Sequence, residues 1–247
     1  MDVAVVTLFP GMFAPLAQFG VVGRAIRGNL ARIIPVDPRS YATDVHGTVD
    51  DRPYGGGPGM VIRMEPFSTA INAARKQVPP GSPVVFLSPQ GRRFDQATAM
   101  RYSRLPGLVL VAGRYEGFDE RLIEALADEE ISVGDFVMSG GEIASMAVID
   151  AILRLRPGVL GDERSAEEES FATGLLDYPH YTRPEVADGR PVPSVLLEGN
   201  HEAIRRWRRK QALGRTSLRR PDLLGNRELS DEDRRLLDEF RAERPTN

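Results

Sequence analysis

The sequence predicts an α/β fold with a parallel sheet, and three observations carry that prediction. Short β-branched, apolar runs alternate with stretches of helical character from the N-terminus onward, the pattern of helices packed on a parallel sheet. Three of these runs break abruptly into Gly, Pro and small polar residues, as strands do at the edge where open α/β sheets bind ligands. Finally, 247 residues with 41% hydrophobic and 27% charged side chains suit one large globular domain, or a domain with a small appendage.

Val3–Phe9 reads as a buried strand, and Pro10-Gly11 turns the chain into a helix from about Met12 to Arg27. Arg32–Val36 is a second strand, closed by Asp37-Pro38. The run Tyr54-Gly-Gly-Gly-Pro-Gly-Met60 excludes helix and central strand; taken alone it is a flexible connection. Glu65–Lys76 is a helix, and from Val84 the order strand, loop, helix repeats three times. The loops are Leu87-Ser-Pro-Gln-Gly91, Ala112-Gly-Arg-Tyr-Glu-Gly-Phe-Asp119 and Ser132-Val-Gly-Asp-Phe-Val-Met-Ser-Gly-Gly-Glu142. The helices are roughly Gln96–Arg104, Glu120–Ala127 and Gly141–Arg154, with Ser139 and Glu142 at the spacing of a capping box. Three such loops in one short region point to one small-molecule pocket.

Several functions are excluded. Zero cysteines rule out disulfides, thiolate metal sites and a cysteine nucleophile. The glycine-rich run lacks the Gly-Lys-Ser/Thr ending of a phosphate-binding loop, and no Gly-x-Gly-x-x-Gly follows a strand. The first residues lack a basic signal-peptide region, and no apolar run approaches the roughly 18 residues of a membrane span. The expectation is a cytoplasmic protein.

The three loops resemble those of bacterial tRNA (guanine-N1)-methyltransferases of the TrmD type, in the SPOUT superfamily. The similarity extends, in collinear order, to Thr7-Leu-Phe-Pro10, Tyr54–Met60, His180-Tyr-Thr-Arg-Pro184, Gly199-Asn-His201 and Arg205-Arg-Trp207. It implies a deep trefoil knot holding S-adenosylmethionine, over a domain of residues 1–160. The implied donor-binding residues are Leu87, Ser88, Pro89 and Gly91; Gly113, Tyr115, Glu116 and Gly117; and Ser132, Val133, Gly134, Asp135, Phe136, Val137, Met138, Gly140 and Gly141. It further implies a homodimer whose active site takes the donor from one subunit and the base from the other, and a requirement for Mg²⁺.

Residues 161–175 are acidic and without large apolar side chains over their first ten positions, and read as a linker. By resemblance this linker presents a general base where the family has Glu-Asp-Ser. Here the run is Glu168-Glu-Ser-Phe171, so Glu169 stands in place of the expected Asp. It carries the same charge one bond length further out, and displacements of about 1 Å can cost on the order of 100-fold in rate. A base is needed because N1 of guanine carries a proton, and negative charge develops on O6 as that proton leaves. By resemblance Arg154 meets O6, although from the residues alone it is a last-turn arginine favoured by the helix dipole.

Residues 176–247 read as a small helical tRNA-binding domain for the anticodon stem-loop. Asn200 caps a helix running to Leu213, with Gly214 as its stop. His201–Arg220 holds eight Lys or Arg and one acidic residue, a basic patch inside a chain of net charge −3. Trp207 reads as core, and Ser230 caps a last amphipathic helix with Leu236, Leu237 and Phe240 inward. By resemblance Gly59, His180, Arg183, Arg205 and Arg208 meet the substrate. A ribose 2′-O-methyltransferase and a non-catalytic RNA-binding protein stand as the alternative readings.

Overall fold

The computed structural model describes residues 1–161, 169–225 and 227–243. The chain divides into two compact units, Met1–Glu163 and Arg164–Asn247.

The first unit is a five-stranded, wholly parallel sheet in the order β2-β1-β6-β5-β7. The strands are β1 (Asp2–Val6), β2 (Arg32–Val36), β5 (Val84–Arg93), β6 (Gly107–Ala112) and β7 (Glu129–Ser132). A two-stranded antiparallel ribbon, β3 (Asp50–Asp51) with β4 (Val61–Ile62), brackets the glycine-rich run. Because both faces of the sheet are covered, the central strands are apolar almost throughout, and alternate residues serve opposite cores. Val3, Val5, Val85, Leu108 and Leu110 pack under α1 (Phe13–Gln18), α2 (Gly20–Arg27) and α6 (Glu142–Leu153). Ala4, Val6, Val84, Phe86, Val109 and Val111 pack under α3 (Met64–Arg75) and α5 (Glu120–Leu126). The remaining helix, α4 (Gln96–Ser103), is capped by Asp95, whose side chain accepts from the Thr98 N–H at 2.8 Å.

Three local expectations are corrected. The helix expected from Met12 to Arg27 is broken at Phe19, which is extended (φ −117°), and at Gly20, which is left-handed (φ +64°). Leu87–Gly91 is not a loop ending a strand. β5 pairs with β7 through Leu87, loops out over Ser88–Gly91, and rejoins at Arg92 opposite the same Ile131. Gly91 is needed there because a Cβ would fall 2.6 Å from the Ile131 carbonyl carbon. Finally, Ser139 does not cap α6; Gly141 is its N-cap, with no side-chain bond. Glu142 is instead drawn into the core by partners described below.

In the second unit, α7 (His201–Arg219) starts at Asn200, whose Oδ1 accepts from the Ala203 N–H at 3.1 Å. It does not stop at Gly214. That glycine lies inside the helix because the Phe240 ring occupies the space a Cβ would need. After the short α8 (Asp222–Gly225), α9 (Asp231–Ala242) is capped by Ser230, whose Oγ accepts from the Asp233 N–H at 3.1 Å. Leu175, Ala212, Leu213, Leu236 and Leu237 form the core, and Phe240 is half-buried against α7. Trp207 is outside that core and half-buried, contrary to expectation.

The basic block of α7 is largely matched by carboxylates. Arg205 pairs with Glu202 and Glu232, Arg206 with Glu239, Arg209 with Asp233, Lys210 with Glu243 and Arg220 with Asp222. The Arg209–Asp233 pair is the most sheltered, bidentate at 2.7 Å, and holds the Asp233 carboxyl below its ordinary value of 3.8. A carboxylate depressed in the folded state stabilises above its unfolded value, and that contribution is lost as pH falls through and below about 3.8. We therefore expect Asp233→Asn to destabilise by roughly 1.5–3 kcal/mol at neutral pH, with the gap to the parent narrowing toward about pH 3; thermal unfolding across that range measures it.

Candidate active site

The carboxyl ends of β1, β5, β6 and β7 meet along one edge of the sheet. A cavity of about 310 Å³ opens there, lined by residues of 87–90, 113–118 and 132–141, within the size range of small-molecule sites. Of the donor-binding residues expected from the sequence, all but Gly91 and Asp135 line it. Gly91 instead serves the β5–β7 crossing. Gln90, Arg114, Phe118, Glu120, Ile123, Ile131, Ser139 and Ala144 were not anticipated and also line it. Gln90, Arg114, Phe118 and Ser139 fall inside the runs already singled out, so membership of those runs was itself the signal. Glu120, Ile123 and Ala144 come from first and second helical turns, which no loop motif marks.

Five of the lining residues are glycines, so backbone forms part of the wall. The Gly141 N–H donates to the Gly113 carbonyl at 2.8 Å, and a Cβ on Gly141 would lie 2.9 Å from the Ala112 Cα. The Ser132 hydroxyl donates to the Gly134 carbonyl at 2.9 Å and accepts its N–H at 3.2 Å, curling the loop at a glycine with φ +153°. Tyr115 is left-handed (φ +58°) and stands half-exposed at the cavity. The glycine-rich run is fastened to this wall: the Glu116 N–H donates to the Met60 carbonyl at 2.9 Å and the Ile62 N–H to the Gly117 carbonyl at 2.9 Å. Gly59 (φ +79°) lies so close to the Glu116 side chain that a Cβ would meet its Cγ at 2.6 Å.

One buried cluster holds the edge together. Glu142 is fully buried; its Oε1 accepts from the Thr7 hydroxyl at 3.0 Å and its Oε2 from Arg114 Nε at 2.8 Å. Arg114 also donates to the Ser139 carbonyl at 3.1 Å and lies 4.4 Å from the Phe9 ring centroid. The chain beyond β1, the loop after β6 and the start of α6 are thereby tied to one carboxylate.

Arg154 is not part of this cavity. It is the C-cap of α6, so twelve residues of helix, about 18 Å at 1.5 Å per residue, run between the cavity end and Arg154. The exposed side of that helix carries Ile143, Ala147 and Asp150, and Ile143 is 57% exposed.

Residues 162–168 of the expected linker, Glu168 among them, lie outside the described residues. Residues 169–175, also expected to be linker, instead form a closed turn of the second unit. The Ala172 N–H donates to the Glu169 carbonyl at 3.1 Å and the Phe171 N–H to the Leu175 carbonyl at 2.7 Å. The Asp177 N–H donates to Ser170 Oγ at 3.0 Å, and the Leu176 N–H to Thr216 Oγ1 at 2.9 Å. Glu169 is half-buried at the start of this turn. Of the expected substrate residues, His180 pairs with Asp177 at 2.8 Å, Arg208 lies over the Tyr178 ring, and Arg205 is taken by two glutamates. Arg183 precedes a cis proline and is exposed.

A parallel sheet with a cavity of small-molecule size at its carboxyl edge, walled by the loops after β6 and β7 and by the excursion within β5, defines an α/β protein of the small-molecule-binding kind. A family model described as tRNA (Guanine-1)-methyltransferase TrmD matches residues 1–226, and the chain belongs to that family. Among its relatives, the protein named tRNA (guanine-N(1)-)-methyltransferase from Hahella chejuensis is 59% identical over 237 residues, covering 96% of this chain and 92% of the relative. Those of the same name from Methylococcus capsulatus and Pasteurella multocida are 58% and 55% identical, covering 97% and 98% of this chain and 95% and 99% of the relatives.

The buried cluster makes a direct prediction. Glu142→Ala leaves Arg114 Nε and the Thr7 hydroxyl without their carboxylate acceptor, and is expected to cost roughly 3–5 kcal/mol of stability, read by denaturant unfolding.

Proposed function

We propose that the protein transfers a methyl group from S-adenosylmethionine to N1 of the guanosine 3′ of the tRNA anticodon. Membership of the tRNA (guanine-1)-methyltransferase family over residues 1–226 is the observation that carries this reading, and the cavity agrees with it. Its carboxylates, Glu116 and Glu120, suit a cationic ligand, its aromatic rings, Phe118 and Phe136, suit a purine, and its backbone polar groups suit ring nitrogens. The crossing of Gly141 on Gly113, backbone to backbone, supports a knotted donor site formed by residues 1–160. Helices α7 and α9 support a tRNA-binding domain over 176–247.

When bound, S-adenosylmethionine supplies an electrophilic methyl group. Glu169 takes the proton from guanine N1, a step worth about 10²–10⁴-fold. Arg154 stabilises the negative charge that develops on O6. Arg154 stands a helix length from its own chain's cavity, and this supports a homodimer in which it serves the partner's donor. Helix α6 supports the same assembly, because it is apolar nearly all round yet shows Ile143 and Ala147 to solvent, and a helix of that kind is ordinarily covered. Among the described residues no three carboxylate or histidine side chains gather as a site for Mg²⁺. No helix among them is long and apolar enough to cross a membrane.

Methyl transfer to a tRNA transcript followed by nucleoside analysis tests the reading. N1-methylguanosine is expected, whereas a 2′-O-methylated nucleoside or no product would overturn it. Glu169→Gln is expected to lower kcat by about 10²–10⁴-fold with tRNA binding retained, and full activity in that variant would remove Glu169 as the base. Ile143→Glu is expected to shift the protein toward monomer in size-exclusion chromatography with light scattering, and to lose activity with it.

A further inference from the structure

The segment 177–181 and helix α7 gather four ring side chains on the second unit. The centroids of Tyr178 and His180 are 4.7 Å apart, those of Tyr181 and Trp207 are 6.3 Å apart, and the Arg208 guanidinium lies 4.8 Å from the Tyr178 ring centroid. The core of this unit is made of leucines and an alanine, so these rings are not needed to fill it. Tyr181 is 49% exposed, and its ring is tilted 52° from the indole, so neither ring covers the other flat.

Charge decides what such a surface suits. Most cations of α7 are matched by carboxylates. Arg208, Arg215 and Arg219 are spaced seven and four residues apart and share one stripe of the helix. Arg215 and Arg219 have no ion pair among the described residues. Aromatic faces beside a line of guanidinium groups are the two components of a single-strand nucleic-acid site, with π-surfaces for unstacked bases and cations for the phosphates.

We propose that Tyr181 and Trp207 form a stacking platform for unpaired bases of the anticodon loop, with the Arg208–Arg215–Arg219 stripe along its backbone. The inference rests on the tRNA reading above and adds which part of the substrate the second unit engages, the single-stranded loop rather than the paired stem. A duplex keeps its bases stacked on each other and offers nothing to these rings.

The chain contains one tryptophan, so fluorescence excited beyond tyrosine absorption reports Trp207 alone. With no methyl donor present, a synthetic anticodon stem-loop is expected to quench it saturably, and a blunt duplex of the same stem is not. Trp207→Ala should weaken stem-loop binding by about tenfold or more, and Trp207→Phe should restore most of it. Unchanged fluorescence while a labelled stem-loop is shown by anisotropy to be bound would overturn the platform, as would equal quenching by the duplex or unaltered affinity in Trp207→Ala. Quenching that persists where no N1-methylguanosine is formed would support the platform while refuting the catalytic reading.

Discussion

Glu142 sits at the first turn of α6, fully buried, with one oxygen on the Thr7 hydroxyl and the other on Arg114. Three segments far apart in the chain are fixed by these two bonds: the exit of β1, the loop after β6 and the start of the helix that follows β7. A buried ion pair is rarely the cheapest way to stabilise a protein, since desolvation offsets most of the attraction. What it supplies is uniqueness. Only one arrangement of the three segments satisfies the carboxylate, and that arrangement places Arg114 on the Ser139 carbonyl and sets Gly141 against Gly113. The cavity wall is a consequence of this constraint, and so is the direction in which α6 leaves it.

The second unit solves a different problem with the same chemistry. A helix with eight Lys or Arg between positions 201 and 220 would repel itself if left alone. The acidic first turn and acidic outer face of α9 answer much of that charge, so the two helices hold together by a hydrophobic seam flanked with ion pairs. Neutralisation is selective: among the described residues it does not extend to Arg215 and Arg219, which leaves a basic stripe on the helix.

Much of this is legible in the chain of residues itself. The parallel sheet follows from alternating apolar runs, and the cavity residues from the three runs of Gly, Pro and small polar residues that interrupt them. What local sequence does not carry are contacts between distant segments. Ser139 and Glu142 have capping-box spacing, but the half-buried Arg114 guanidinium and the Thr7 hydroxyl take the carboxylate instead of a local N–H. Gly214 looks like a helix stop, yet it is a glycine because Phe240 arrives from another helix. Trp207 has core-like neighbours along its helix, and only the fold shows the core already complete with smaller side chains. Ser88–Gly91 does not declare itself an excursion within one strand, since register with β7 resumes only at Arg92.

Five residues of the cavity wall are glycines, Gly113, Gly117, Gly134, Gly140 and Gly141, and this has an evolutionary side. Side-chain substitution alters a pocket by changing what projects into it, and at these positions nothing projects that can be changed. At Gly141 even a methyl group meets backbone on the opposite side. On the proposed reading of the cavity as the methyl-donor site, a competitor that hydrogen-bonds to those peptide groups would leave resistance to arise at the other lining positions, Arg114, Tyr115 and Phe136 among them.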